Sequence, residues 1–178
     1  MSARKVLILS ALLAGAVNSS AGAQTTSNRE GVWFNIGVGA GSLGCSDCGD
    51  RVTGPSGGLA IGGTISRGVL LGVFSNGWVK SEDGVTLTAG TLVFGARFYP
   101  SNDAGFFLLA GLGLGRIDLA VTGFGSVAEN GSGALLGLGW DIPISTGVSL
   151  TPFWNGIGIA TSTSDANFGQ LGVGLTIH

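Results

Sequence analysis

The chain has 178 residues and a formal net charge of −2, and only 10% of its residues are charged. Soluble domains have about a quarter of their residues charged. The low charge, the mean hydropathy of +0.50 and the 35 glycines therefore indicate that something other than water faces much of the surface. The length suits one domain, and the acidic balance argues against a nucleic-acid partner, for which a basic patch is expected.

The first 23 residues have the pattern of a targeting segment. Arg4 and Lys5 precede the apolar run Val6–Val17, and Ala21–Ala23 forms a small-residue cleavage site. The run is about a dozen residues long, whereas a helix that spans a membrane needs roughly 20. We predict a signal peptide over residues 1–23, cleavage before Gln24, and an exported domain over residues 24–178.

Alternation of apolar residues with glycine or polar residues predicts eight strands in the exported domain. In chain order they are Val32–Gly41, about Gly58–Ser66, Val69–Val79, Val85–Tyr99, Gly105–Ala120, Gly133–Pro143, Val148 to about Ala160, and Phe168–Ile177. Four longer connections are predicted at Ser42–Gly57, Lys80–Gly84, Thr122–Asn130 and Thr161–Asn167. Short turns separate the other strands.

The phase of the alternation is clear in most strands. It is less clean in Val69–Val79, where Leu70 and Phe74 would face inward, and irregular in the fourth strand. In Gly133–Pro143, apolar side chains share one face and glycines with Asp141 share the other. In the fourth strand, Val85 and Leu87 are out of phase with the later residues. This irregularity predicts either a bulge near Ala89 and Gly90 or a strand that extends beyond the membrane.

These strands predict an all-β fold, an eight-stranded antiparallel transmembrane β-barrel with short periplasmic turns and longer external loops. The most apolar later run, Phe106–Leu114, is too short for a spanning helix. Aromatic residues at predicted strand ends suggest two interfacial girdles. Phe34, Phe98, Phe106 and Trp140 would lie at the periplasmic rim, and Trp78, with Trp154 and Phe168, at the other rim.

Three stretches resemble the small eight-stranded outer-membrane barrels of the OmpA/OmpX type: Phe94–Pro100, Phe107–Gly113 and Gly137–Pro143. The resemblance covers Gly31–His178 and implies location in the outer membrane, contact with outer-membrane lipid and insertion by the barrel-assembly machinery. Such barrels typically end in an outward aromatic residue, whereas this chain ends Thr176-Ile177-His178. Some similar barrels are lipid A-modifying enzymes with a histidine near the outer rim, a position where this sequence has none.

The sequence predicts no catalytic residue, no metal site and no cofactor. The one histidine, His178, is terminal and lies at the predicted periplasmic rim, where it could not serve a nucleophile elsewhere. Two cysteines in an exported chain, three positions apart in a loop, predict a Cys45–Cys48 disulfide. Further ligands for a metal are absent near them.

Four polar side chains are predicted to face the barrel lumen: Asn35, Arg97, Asp141 and Gln170. An unpaired charge in a confined space is costly, so the charged pair would be joined in a network that plugs the barrel. The alternative is that both charges lie low enough to be solvated by the periplasm.

Three functions fit the sequence. The first is a structural or surface-interaction barrel, without catalytic activity, that presents loops to an unknown extracellular ligand. The second is a narrow conduit for small or apolar molecules. The third is a soluble lipocalin-like binding barrel with its apolar face inside.

Overall fold

The structure, a computed structural model, describes residues 29–45 and 49–178. The predicted signal peptide lies outside these residues. The strands are β1 (Val32–Cys45), β2 (Val52–Ser66), β3 (Val69–Glu82), β4 (Val85–Phe98), β5 (Phe106–Val121), β6 (Gly125–Trp140), β7 (Ile142–Ser145), β8 (Val148–Ala160) and β9 (Asp165–Ile177). In this part of the chain, no helix has the length and hydrophobicity needed to cross a membrane.

The strands form one closed antiparallel sheet. Neighbours in sequence pair with each other except β6 and β7. β1 pairs with β9, and β6 pairs with β8 from Ser132 opposite Ala160 to Gly139 opposite Phe153. β7 continues the path of β6 after a break at Asp141, so the nine segments make an eight-stranded barrel. Closure pairs the strand edges around the barrel wall, which is the condition for a sheet in lipid. The predicted fold class is confirmed.

The outer surface of the barrel is apolar. Leu112, Leu136 and Leu171 are 74%, 65% and 69% exposed, and the other outward positions near them are also apolar. A soluble barrel would bury such side chains in its interior. The structure therefore contradicts the lipocalin-like alternative, which needed the apolar face inside.

Glycines on the inner face make the barrel narrow enough to be filled by a few large side chains. A Cβ at Gly72 would lie 2.7 Å from Cζ2 of Trp33, closer than real Cβ contacts. The buried indole of Trp33 therefore occupies the space that a side chain at Gly72 would need. Small inward residues opposite large ones let an eight-stranded barrel form a solid core.

Several strands are longer than the sequence predicts. β1 continues to Cys45, β2 begins at Val52 and β6 begins at Gly125, inside segments predicted as long loops. Residues 122–124 form only a tight turn, and Asp83 and Gly84 form a two-residue turn with φ of 50° and 78°. The strands of 14 to 16 residues exceed the 9–11 needed to cross a bilayer, so they project beyond it.

The connections from β1 to β2, β3 to β4, β5 to β6 and β8 to β9 lie at one end of the barrel, which we call the hairpin end. The opposite end, with Arg67–Gly68 and both described termini, is called the turn end. The hairpin end carries an extension made by paired residues 77–82, 85–90, 116–121 and 125–130 of β3, β4, β5 and β6. Its outer face carries Thr86, Thr88 and Arg116, whereas its inner face carries Leu87 and Ile117, which pack against the core. In β4 and β5 this polarity is opposite to that of the barrel wall and marks the edge of the lipid.

The irregular phase of β4 is explained by this extension. Pairing of β4 with β3 and β5 is continuous from Val85 to Phe98, so the bulge considered near Ala89 and Gly90 is wrong. Val85 and Leu87 lie in the inward phase throughout. They belong to the part of the extension's inner face that β4 and β5 make apolar, and the second interpretation, a strand extending beyond the membrane, holds.

The four aromatics predicted for the periplasmic rim face outward at the turn end. Phe34, Phe98 and Trp140 are 38%, 50% and 50% exposed, and the ring of Phe106 lies 6.1 Å from that of Trp140. The prediction that Trp78 lies in the other girdle is wrong. Trp78 is 1% exposed, and its Nε1 donates a 3.0 Å hydrogen bond to the Gly41 carbonyl inside the barrel.

Phe168, assigned with Trp78 to the other rim, is also buried in the lumen, and Trp154 is half-exposed on the outside. Trp78 and Phe168 have the inward phase of their strands, and this phase determines their direction whatever the residue type.

Leu136→Arg is expected to destabilise the inserted barrel by about 2–4 kcal/mol, because it places a charge in the lipid-facing band. Ala128→Arg lies on the same face of the same strand but in the extension, and we expect it to be nearly neutral. Urea unfolding in lipid vesicles, followed by the heat-modifiable mobility of the barrel, measures both. Equal destabilisation would contradict the assigned lipid boundary.

Candidate functional site in the barrel lumen

Asp141 is the centre of a polar cluster at the turn end. It is 1% exposed, and its backbone N–H donates a 2.9 Å hydrogen bond to the Gly105 carbonyl across the break between β6 and β7. The Tyr99 hydroxyl donates to Oδ2 at 2.7 Å, and the Thr151 hydroxyl to Oδ1 at 2.7 Å. Thr176 adds a longer contact of 3.5 Å to Oδ1. Hydrogen bonds from these hydroxyls offset the free-energy cost of burying the carboxylate.

Asn35 belongs to the same cluster through Thr176. Its Nδ2 donates to the Thr176 hydroxyl at 2.9 Å and to the Leu175 carbonyl at 3.2 Å. The hydroxyls of Thr176 and Thr151 lie 2.7 Å apart. The structure thus joins two of the predicted lumen residues, Asn35 and Asp141, through threonines that the sequence analysis did not assign.

Arg97 lies among aromatic rings and makes no ion pair with Asp141 in the described part of the chain. Its guanidinium carbon is 4.7 Å from the ring centre of Trp33, 4.6 Å from that of Phe107 and 5.8 Å from that of Phe74. A desolvated cation over an aromatic face gains about 2 kcal/mol. The predicted direct network between the two charges is therefore wrong, and so is its alternative, since Arg97 is only 3% exposed.

Gln170 lies in a separate amide layer nearer the hairpin end. The Asn155 Nδ2 donates to Gln170 Oε1 at 3.3 Å and to Asn76 Oδ1 at 3.5 Å. All three side chains are buried. The four predicted lumen residues are thus divided between three groups: the Asp141 cluster, the aromatic cage of Arg97 and this amide layer.

Arg29 closes the turn end and was missed by the sequence analysis. Its guanidinium carbon lies 3.8 Å from the centre of the Tyr99 ring, and its Nη2 donates to the Ala104 carbonyl at 2.6 Å. A second bond of 3.3 Å reaches the Asn102 carbonyl. Arg29 precedes the first strand and has no periodic pattern to reveal it, whereas Tyr99 shares the inward phase of Arg97.

An apolar layer fills the lumen between the amide layer and the hairpin end. Its members are all nearly inaccessible: Leu43, Trp78, Val93, Leu135, Ile157, Ile159 and Phe168. Toward the turn end, a cavity of about 30 Å³ lies between the amide layer and the aromatic cage. Its lining includes Asn76, Arg97 and Asn155. In the described residues, side chains therefore pack across the barrel at several levels.

The predicted disulfide has one end in the structure. Cys45 is the last residue of β1, and Cys48 lies outside the described residues. The Cys45–Cys48 bond stays a prediction.

His178 lies at the turn end, where its backbone N–H donates to the Gly147 carbonyl at 2.8 Å. Burial lowers the pKa of its imidazole, while nearby Asp141 acts in the opposite direction. Within residues 29–45 and 49–178, no group of three or more His, Cys, Asp or Glu side chains is placed to hold a metal ion.

A double-mutant cycle distinguishes the observed cluster from the predicted network. We expect Tyr99→Phe and Asp141→Asn to be coupled by about 0.5–3 kcal/mol, because the phenol donates directly to the carboxylate. Arg97→Gln and Asp141→Asn should be closer to additive. Unfolding free energies of the single and double variants in lipid vesicles measure both couplings, and stronger coupling of the Arg97 pair would contradict the assigned contacts.

Comparison with known proteins shows which solved structures this architecture resembles. No protein-family model and no curated protein sequence matches the chain. Solved structures do: Neisserial surface protein A superposes with a TM-score of 0.65 and 18% identity, covering 83% of this chain and 97% of that one.

Ail, the attachment invasion locus protein of Yersinia pestis, superposes with a TM-score of 0.54 and 11% identity, covering 83% of this chain and 99% of that one. Its complex with the heparin analogue sucrose octasulfate gives a TM-score of 0.55 and 13% identity. At these identities the likeness concerns the fold. With its closed sheet, apolar outer band and filled lumen, this chain has the fold of the small eight-stranded outer-membrane β-barrels.

Proposed function

We propose that the protein is a non-catalytic outer-membrane barrel that binds a partner outside the cell through the extension at its hairpin end. The observation that carries this proposal is the exposed apolar inner face of the extension. Leu87, Leu119 and Val127 lie directly opposite one another on three adjacent strands, and Leu119 and Val127 are 43% and 68% exposed. Apolar side chains exposed beyond the lipid band are typical of interaction sites.

Phe124 extends this surface at the tip of the β5–β6 hairpin. It is 92% exposed, and its backbone N–H donates a 3.0 Å hydrogen bond to the Val121 carbonyl, so the turn that carries it is ordered. Aromatic side chains dominate the energetics of protein interfaces because they bury much area with little loss of rotamer freedom. The tip therefore supplies an anchor for a partner with an apolar pocket.

Hydrogen bonds hold the rest of the hairpin end in place. Thr161 and Thr163, between β8 and β9, donate to the Glu129 carboxylate of the extension. Arg51, the residue before β2, donates to the Asn167 side chain at 2.7 Å and to the Ser42 hydroxyl at 3.1 Å. These bonds link the start of β2 to β1 and β9. A surface ordered before binding loses less entropy when a partner docks.

The orientation follows the usual asymmetry of outer-membrane barrels, with short turns in the periplasm and longer connections outside. We infer that the hairpin end faces outward, that outer-membrane lipid covers the apolar band, and that the barrel-assembly machinery inserts the chain. Ile177, which is outward and 49% exposed, would take the place of the usual terminal aromatic.

Charge at the hairpin end favours an apolar or basic partner over a polyanion of the kind seen with Ail. Among the described residues of this end, the basic side chains are Arg51, Lys80 and Arg116, and the acidic ones are Asp50, Glu82, Asp83, Asp118, Glu129 and Asp165. Arg116 and Lys80 are each paired with a neighbouring acid. A polyanion would meet net repulsion there.

The conduit alternative is weakened by the packed lumen. We expect the purified protein to show no sustained conductance in planar bilayers, because Trp78, Phe168 and their neighbours fill the barrel. Single-channel recording over a range of voltages is the measurement. Stable open-channel currents would favour the conduit.

Binding at the extension is tested with the barrel reconstituted in lipid vesicles and a panel of purified extracellular-matrix proteins. The unmodified barrel should be retained by at least one member, and Phe124→Ser should weaken that binding at least about tenfold. Asp103→Ser changes an exposed residue at the turn end and is the matched control, with no expected effect. Failure of every panel member, or equal binding by Phe124→Ser, would contradict the proposal.

A further inference from the structure

The lumen cavity is bordered by N–H donors that have no protein acceptor. Arg97 lines the cavity, is 3% exposed, and has its Nε and Nη1 buried without a hydrogen-bond partner. Asn76 also lines it, is 7% exposed, and has its Nδ2 without a partner. Buried donors of this kind are costly unless an acceptor satisfies them.

Two of the acceptors near these donors are already used. Asn76 Oδ1 accepts from Asn155, and Asp141 accepts the hydroxyls of Tyr99 and Thr151. Thr151 lies between Asp141 and the cavity and directs its own proton to the carboxylate. Three donor atoms of the cavity lining, Arg97 Nε and Nη1 and Asn76 Nδ2, therefore have no protein acceptor.

The buried charges in the turn-end half of the lumen also favour an anion. Arg29 and Arg97 are buried there against one buried carboxylate, Asp141, which leaves one positive charge in excess. Aromatic faces stabilise Arg97 but do not neutralise it. In a medium of low dielectric, a single anion next to Arg97 would both balance the charge and accept its N–H groups.

We propose that this cavity is a binding site for one monovalent anion of halide size, held by the Arg97 guanidinium and the Asn76 amide. The volume of about 30 Å³ sets the size class. A water molecule needs at least roughly 10–15 Å³ of such space, so the cavity has room for a small monovalent anion such as chloride or bromide. The anion locks the lumen core from within, so the site stabilises the closed barrel.

Bromide is the probe for the site, because it scatters X-rays anomalously near its absorption edge. Crystals of the protein grown in sodium bromide should show one anomalous peak in the cavity, at hydrogen-bonding distance from Arg97 and Asn76. Density there without an anomalous signal, or no density, would overturn the proposal in favour of water or a dry cavity.

Thermal unfolding in detergent gives a second measurement. At equal ionic strength, the Tm should be higher in chloride or bromide than in gluconate, and the difference should saturate with halide concentration. Arg97→Gln should abolish the difference. Lys80→Gln, which removes an exposed cation at the hairpin end, is the matched control and should retain it.

A variant without a charge change keeps the test decisive if Arg97→Gln does not fold. Asn76→Leu removes one N–H donor and should weaken the apparent halide affinity roughly tenfold, since one hydrogen bond to an ion is worth that much. Halide dependence that is unchanged in Asn76→Leu or survives in Arg97→Gln would overturn the site. Equal Tm values in halide and gluconate would do the same.

Discussion

The pairing of backbone N–H and C=O groups in lipid is the constraint on which the rest of the structure depends. A strand in hydrocarbon cannot leave these groups unpaired, so the sheet must close, and closure occurs between β1 and β9 and between β6 and β8. Closing only eight strands fixes a small diameter. Every inward side chain must then fit within a narrow lumen.

The narrow lumen explains both the inward glycines and the buried charges. Gly72 leaves room for Trp33, and Trp33 provides the face on which Arg97 lies. Asp141, at a break in the sheet, is surrounded by hydroxyls from other strands rather than by arginine. Charges in this interior are thus stabilised by aromatic faces and hydroxyl groups, and the same packing closes the passage through the barrel.

Beyond the lipid the constraint changes, and so does the polarity of the wall. Residues of the extension have water on their outer face, where Thr86 and Thr88 replace the leucines of the membrane band. The inner face keeps apolar residues because it packs partly against the core, through Leu87 and Ile117. What remains uncovered, at Val127 and Phe124, is the surface through which we propose that the barrel binds a partner.

The sequence by itself determined the number of strands, their inward and outward faces and the lipid-facing band, because a period of two records the direction of each side chain. Leu70, Phe74, Arg97 and Asp141 all face inward as their phase predicts. Only the tertiary structure decided which inward residues meet. Contacts across the lumen depend on closure and stagger of the strands, so Arg97 reaches Trp33 and Phe107 rather than Asp141. The hairpin-end extensions of β1, β2 and β6 were also missed, since hydrophobic alternation weakens where the outer face meets water, while backbone pairing continues as far as Gly125 opposite Val121.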